Sequence, residues 1–311
     1  MKQVARSKKF KKLSKASRKK LLFYCLMLAF PVVQFCIFWI GVNANSLVLA
    51  FQKYDASTNS YIFDLAFSSL RDSFYDLTHN GLMLTAAKNS AILYLVNTGI
   101  GVTLTLFFSF YIYKKGPLSG FYKIMLFLPS IISSVIMVLL YKYFVESVVP
   151  EVADLLTGTR IKGLLSDENT RFGVLLFYTI WSGFGMQLLV YVGSMENISN
   201  SVVEAAKMDG VNKIQEFFYI TLPSIWPTLV TFLTVSIAGF FTNQMSLYTF
   251  YGEFAPNELT NFGYFLFRET HAVGRSRYPY VASLGIYMTM IAAPVTFLVK
   301  FLMERLGPSS D

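Results

Sequence analysis

Charge is what this sequence has least of. Asp, Glu, Lys and Arg make up 14% of the 311 residues, against about 25% in a typical soluble domain. Hydrophobic residues reach 54%, with 30 phenylalanines. A water-soluble fold of this size could not hide that apolar surface, so part of its solvent must be lipid. Cysteine is nearly absent. Cys25 and Cys36 share one apolar run, about 16 Å apart along a helix at ~1.5 Å rise per residue, too far to pair within it. Both read as small apolar residues. His79 and His271 lack ligand-spaced partners, which argues against a metal site. No lysine is followed by Ser or Thr, so there is no G-x-x-x-x-G-K-[ST] phosphate loop. No paired acid and base, nucleophile or metal set stands near an expected membrane face, so no catalytic residue is assigned.

Acids are also missing from the first 20 residues, MKQVARSKKFKKLSKASRKK, which hold ten of the 27 basic residues. The net charge of +9 therefore does not point to a nucleic-acid partner. A basic run directly before an apolar one is a topogenic or membrane-surface signal. The apolar run that follows, Leu21 to Val42, is about 22 residues long, longer than the ~7–15 of a signal-peptide core. With GVNANS after it and no A-x-A site, it reads as an uncleaved first span.

What is present is a series of six apolar segments of membrane-spanning length, at about 21–42, 88–112, 121–143, 173–195, 224–250 and 280–302. The expected fold is an all-α polytopic membrane protein with six transmembrane helices. With the basic N-terminus placed in the cytoplasm, the inside segments (1–20, 113–123, 196–223 and the C-terminal end) hold 17 basic and 6 acidic residues, and the outside segments 10 and 12. Inside is +11 and outside −2, the asymmetry of the positive-inside rule. Both termini are expected to be cytoplasmic. The outer loops are moderate; FDLAFSSLRDSFYDL within 43–87 could form a short amphipathic surface helix.

One inside segment interrupts the apolar pattern with small and charged residues: NISNSVVEAAKMDGVNKIQEFFYITLP. Ser201 and Glu204 have capping-box spacing, and Ala205 to Met208 favour helix. Asp209-Gly210 should stop it, because glycine enters the left-handed region without a Cβ penalty. Asn212 can cap a second helix, Lys213 to about Thr221, which Pro223 ends or kinks before the fifth span. On local pattern alone this is either a well-capped loop or a docking unit. Ala205 and Ala206 allow close approach, and Glu204 is a charge that a partner's arginine could pair with.

These residues resemble a known family. EAAKMDG followed by ITLP is similar to the EAA loop of ABC importer membrane subunits, E-A-A-x-x-x-G-x(9)-I-x-L-P. Seven positions match at that spacing: Glu204, Ala205, Ala206, Gly210, Ile220, Leu222 and Pro223. FYKIMLFLPSIISSVIMVLLYKYFV resembles the third span of the carbohydrate branch, that of maltose and multiple-sugar permeases. YGEFAPNELTNFGYFLFRET departs from that branch, which has T-G-G-G-P where this chain has GEFAP. The resemblance covers about 20–305. It implies the type I ABC importer permease fold, with a basic segment at 1–20, a six-helix domain at 21–305 carrying the coupling loop at about 198–223, and a tail at 306–311.

It also implies a permease subunit in a prokaryotic cell membrane, not an enzyme. ATP and Mg²⁺ would be bound by two partner ATPase subunits, and this chain would hold no cofactor of its own. A second permease, as a heterodimer, and an extracytoplasmic solute-binding protein would complete the importer. Glu204, Ala205, Ala206, Asp209, Gly210, Leu222 and Pro223 would make the ATPase-coupling site.

The cargo must be read from the spans. Asn97, Trp181, Gln187, Tyr191, Asn243, Gln244 and Tyr287 lie at membrane depth, where polar groups tend to face the interior. Amides and aromatic faces suit a sugar, and Gln187, Tyr191, Asn243, Gln244 and Tyr287 are the candidates for its path; interhelical hydrogen bonding is the competing role. The shortage of charge in the spans suits a neutral cargo, an oligosaccharide by resemblance. It weighs against a proton- or ion-coupled secondary carrier, which needs ionisable groups mid-membrane. The same importer for a phosphodiester or peptide is the nearer alternative.

Overall fold

The computed structural model describes residues 15–271 and 274–308. Residues 1–14 of the basic segment and 309–311 of the tail lie outside the described residues. The first apolar run folds as α1 (Lys15–Gln34) and α2 (Val42–Leu49), joined by a π turn at Phe35–Gly41. Residues 19–48 are exposed throughout, and α2 is the part that packs against the last long helix. An apolar helix with no covered face needs lipid or another chain around it. Cys25 and Cys36 are exposed on it as free thiols.

A hairpin follows that is not among the elements expected from the sequence: β1 (Gln52–Asp55) pairs antiparallel with β2 (Ser60–Phe63), Gln52 opposite Phe63 and Asp55 opposite Ser60. The Asp55 carboxylate closes its turn, accepting from the Ser57 N–H and hydroxyl at 2.9 and 2.7 Å and from the Thr58 hydroxyl at 3.0 Å. Those bonds favour the charged form and hold its pKa below the usual carboxylate value. The expected amphipathic helix is α3 (Ser68–His79).

The second span is α4 (Gly81–Val96) and α5 (Val102–Tyr113) around a π turn at Asn97–Gly101, 33 residues in all. The third differs from the single helix expected over 121–143. It is α6 (Ser119–Ile131) followed by α7 (Ser134–Tyr143) and α8 (Val149–Thr157), bent by 108° at the break. Pro129 has no N–H for the carbonyl one turn back. Ile132 and Ser133 then turn extended, at ψ 143° and 130°, so the helix restarts in a new direction.

The fourth span, α9 (Arg171–Glu196), is one unbroken helix close to the expected 173–195. It packs against α5 and α6. After the loop at 198–223, the fifth span is α13 (Trp226–Thr242) and a short α14 (Leu247–Tyr251), with a turn at 243–246 where one helix was expected to run to 250. Helix α15 (Phe262–His271) leads to α16 (Tyr278–Leu306), the last span. Helix α13 packs against α4, α15 and α16. Among the described residues, five helices are long and apolar enough to cross a membrane, and the bent pair makes six if counted as one span.

Candidate functional site

The loop at 198–223, expected on the inside, folds as α10 (Asn200–Met208), α11 (Lys213–Glu216) and α12 (Leu222–Ser224). Helix α10 rests on Val203 and Ala206, a turn apart and 7% and 8% exposed. Its opposite face presents Glu204 and, one turn on, Met208, which is 88% exposed. A large apolar side chain held in solvent beside a free carboxylate marks a surface built to be covered.

The expected Ser201–Glu204 capping box does not form. The helix starts at Asn200, which places Ser201 inside the first turn, where its hydroxyl bonds that of Ser199 at 2.7 Å. The stop at Gly210 does form, with φ at +77°. The Gly210 N–H donates to Lys207 O at 3.1 Å and the Val211 N–H to Ala206 O at 3.0 Å, the paired bonds of a Schellman end.

The Asn212 cap is reciprocal: its Oδ1 accepts from the Gln215 N–H and the Gln215 Oε1 accepts from the Asn212 N–H, both at 2.9 Å. Asn212→Ala is expected to cost about 1 kcal/mol of local helix stability. Faster amide exchange at Gln215, with unchanged exchange in α9, is the measurement that checks it.

Pro223 does not end the second helix where expected. A π turn at Phe217–Thr221 widens the ladder just before it, the usual accommodation where a helical bond is lost. The chain breaks two residues later, at Ile225 (φ −94°, ψ 3°). Leu222 and Pro223 are half-buried, and Leu222 packs with Tyr191, Phe217 and Ile225. They join the loop to α13, whereas Glu204, Ala205, Asp209 and Gly210 are exposed. A cleft of about 600 Å³ lies between the two helices, lined by Ala205, Asp209, Gly210, Gln215 and Tyr219 among others.

One residue of this loop has a role that the sequence reading missed. Glu216 points inward, 5% exposed, and pairs with Lys114 just beyond the end of α5. The available signal was a lone acid in the apolar run IQEFFYI. Its partner lies about a hundred residues away and has no local signature.

The candidate path residues are not brought into one site. Tyr191 is fully buried with its ring 5.3 Å from Phe232, in the cluster under the same loop. The Tyr287 hydroxyl donates to Leu70 O at 3.2 Å, fastening α3 to α16. Gln187 is half-buried on α9. Asn243 and Gln244 stay together in the turn that interrupts the fifth span. Asn243 Oδ1 accepts from the Met245 N–H at 2.9 Å, the Gln244 Oε1 is buried without a protein partner, and Met245 and Ser246 take φ of +51° and +54°. Such backbone is found at membrane depth where it is enclosed by protein or lines a cavity.

Residues 97–310 match the family model described as "Binding-protein-dependent transport system inner membrane component". The arabinooligosaccharides transport system permease protein AraP of Halalkalibacterium halodurans is 23% identical over 289 residues, 91% of this chain and 88% of AraP. The probable ABC transporter permease MG188 of Mycoplasma genitalium is 27% identical over 205 residues, 64% of this chain; the chain spans 58% of that relative's length. In fold, the chain is similar to a chain in the crystal structure of a bacterial alginate ABC transporter in complex with an alginate pentasaccharide-bound periplasmic protein. The TM-score is 0.73 at 19% identity, over 95% of this chain and 98% of that one.

Proposed function

The chain belongs to the family of binding-protein-dependent transport system inner membrane components, and from that premise we propose that it is the permease subunit of an ABC importer moving a carbohydrate, an oligosaccharide, into the cell. The observation that carries the reading is the loop at 198–223. A helix closed by a glycine Schellman end holds Glu204 and Ala205 in solvent, above a buried footing of Val203 and Ala206. The names of relatives such as AraP support the cargo class.

Two ATPase subunits, separate chains that bind ATP and Mg²⁺, dock on α10 of this permease and of a second, similar one. Glu204 pairs with a basic residue in the ATPase cleft, Ala205 permits close approach, and Asp209-Gly210 sets the turn. Closure of the ATPases on ATP draws the two loops together and rocks the spans toward the outer face. There a solute-binding protein delivers the sugar. The half-buried Leu222-Pro223 hinge, rather than a docking contact, passes the movement to α13.

The test is the complete importer in proteoliposomes, assayed with a panel of neutral oligosaccharides, acidic oligosaccharides and peptides. Glu204→Ala is expected to reduce uptake several-fold, about 5-fold if the lost contact is worth ~1 kcal/mol of coupling, and to lower the ATPase that co-purifies. Normal uptake with normal co-purification sinks the docking role, and uptake of peptide alone sinks the cargo class.

A further inference from the structure

We propose that Lys114 and Glu216 are positioning residues for transport: a buried ionic tie that carries movement of the docking loop into the second span. The proposal rests on the reading of 198–223 as the docking segment.

The two glutamates of the loop have opposite tasks. Glu204 faces solvent, where it can meet a partner. Glu216 faces inward with its side chain 6% exposed, against Lys114 at 17%. The lysine stands one residue past the end of α5, before a sharp turn in which Lys115 takes φ +50°. Its ammonium also lies 5.0 Å from the centre of the Tyr113 ring and 5.7 Å from that of Phe110. Phe217, the next residue after Glu216, is buried against Phe107 and Phe110, with ring centres 5.2 and 5.1 Å away. Aromatic rings thus cover most of the pair, with Lys114 still edging an open cavity, and partly buried charges attract with less screening than exposed ones.

Apolar packing alone would hold the loop against α5, but apolar surfaces slide over one another at little cost. A desolvated charge pair has one register, because moving either partner leaves a buried charge uncompensated. Other ties meet the same region. The Trp226 indole N–H donates to Met303 O at 3.0 Å, joining α13 to α16. The Ser194 and Thr228 hydroxyls bond at 3.1 Å, joining α9 to α13. Among the described residues, Lys114–Glu216 is the only ion pair between the docking loop and a span. It is placed to make α5 move with the loop, as in a shear transition between two packed arrangements.

The experiment uses the complete importer in proteoliposomes with binding protein and cargo, and reads sugar imported per ATP hydrolysed beside the amount of co-purified ATPase. Lys114→Ala and Glu216→Ala are expected to keep the ATPase bound and lower sugar per ATP by about 5-fold or more. The swap Lys114→Glu with Glu216→Lys is expected to recover at least half of the lost coupling. Lys114→Met with Glu216→Leu fills the same space without charge, so it assembles like the native chain but stays uncoupled. Native sugar per ATP in that apolar pair, or a swap that assembles yet couples no better than the single changes, overturns the proposal. Glu204→Ala in the same assay separates this from the docking reading, because it acts on ATPase retention, which the Lys114 and Glu216 changes leave intact.

Discussion

Gly210→Val is expected to cut sugar uptake at least about 10-fold while leaving the permease folded. Gly210 sits at φ +77° with nothing within 4 Å of where a Cβ would stand, so the effect of valine there is conformational and not a clash with a neighbour. A left-handed backbone costs an ordinary L residue roughly 1–2 kcal/mol, and a β-branched one is a genuine outlier in that region. Relief of that strain rotates the turn and breaks the bonds from the Gly210 and Val211 N–H groups to Lys207 and Ala206. The end of α10 then unwinds, and Glu204 no longer stands at a fixed angle to the cleft. Because the turn is exposed, the core is untouched and thermal stability should hold. Gly210→Asn is the control, since asparagine tolerates the left-handed region. We expect Asn to keep uptake within about 2-fold and Val to lose at least about 10-fold, which for Val is a loss of ~1.4 kcal/mol in coupling relative to the native chain. Co-purified ATPase should fall with uptake for Val alone. Equal uptake for the two variants refutes the role given to the turn.

The difference between legible and illegible parts of this chain follows the range of the interactions involved. Span positions were legible because each depends on its own apolar run, and α9 departs from its expected limits by a few residues. The Gly210 stop and the Asn212 cap were legible because their hydrogen-bond partners lie within five residues. The Ser201 box misled for the same local reason: the spacing was present, but the helix began two residues early and made the serine interior. The break at Ile132–Ser133 was half visible, since Pro129 stands within the third apolar run and proline alone does not say whether a helix bends or continues. Glu216 was invisible because its partner comes from another span. Tyr191 and Tyr287 read as path residues for a related reason. Position along a span does not show that one ring fills the core beneath the loop and the other hydroxyl ties down α3.

The end of the bundle away from the docking loop depends on a contact of the same long-range kind, and one methyl group should expose it. A Cβ on Gly263 would stand 2.6 Å from the carbonyl carbon and oxygen of Asn243 and from the oxygen of Thr242. All three are backbone atoms at the end of α13, so no side chain can rotate away. Around this point the chain is stitched to α4. Asn89 donates to Glu258 O and Thr260 O at 2.6 and 2.8 Å, and the Ser90 hydroxyl accepts from the Phe262 N–H at 3.0 Å. Helix α15 therefore cannot shift without losing buried hydrogen bonds. Overpacking typically costs 1–3 kcal/mol, and Gly263→Ala is expected near the top of that range, about 3 kcal/mol, since both routes of relief are closed. Gly285→Ala in α16, where nothing lies within 4 Å, should be neutral or slightly stabilising, as alanine favours helix. Heating the detergent-solubilised importer and measuring the fraction that stays monodisperse compares the two directly. Early loss for Gly263→Ala beside a native curve for Gly285→Ala is the expected result, and coincident curves would show that the α13–α15 contact yields. The same contact backs the turn carrying Asn243 and Gln244. If that turn lines the sugar path, Gly263→Ala importer assayed below its unfolding temperature should also show weakened sugar affinity, while its ATPase retention stays native.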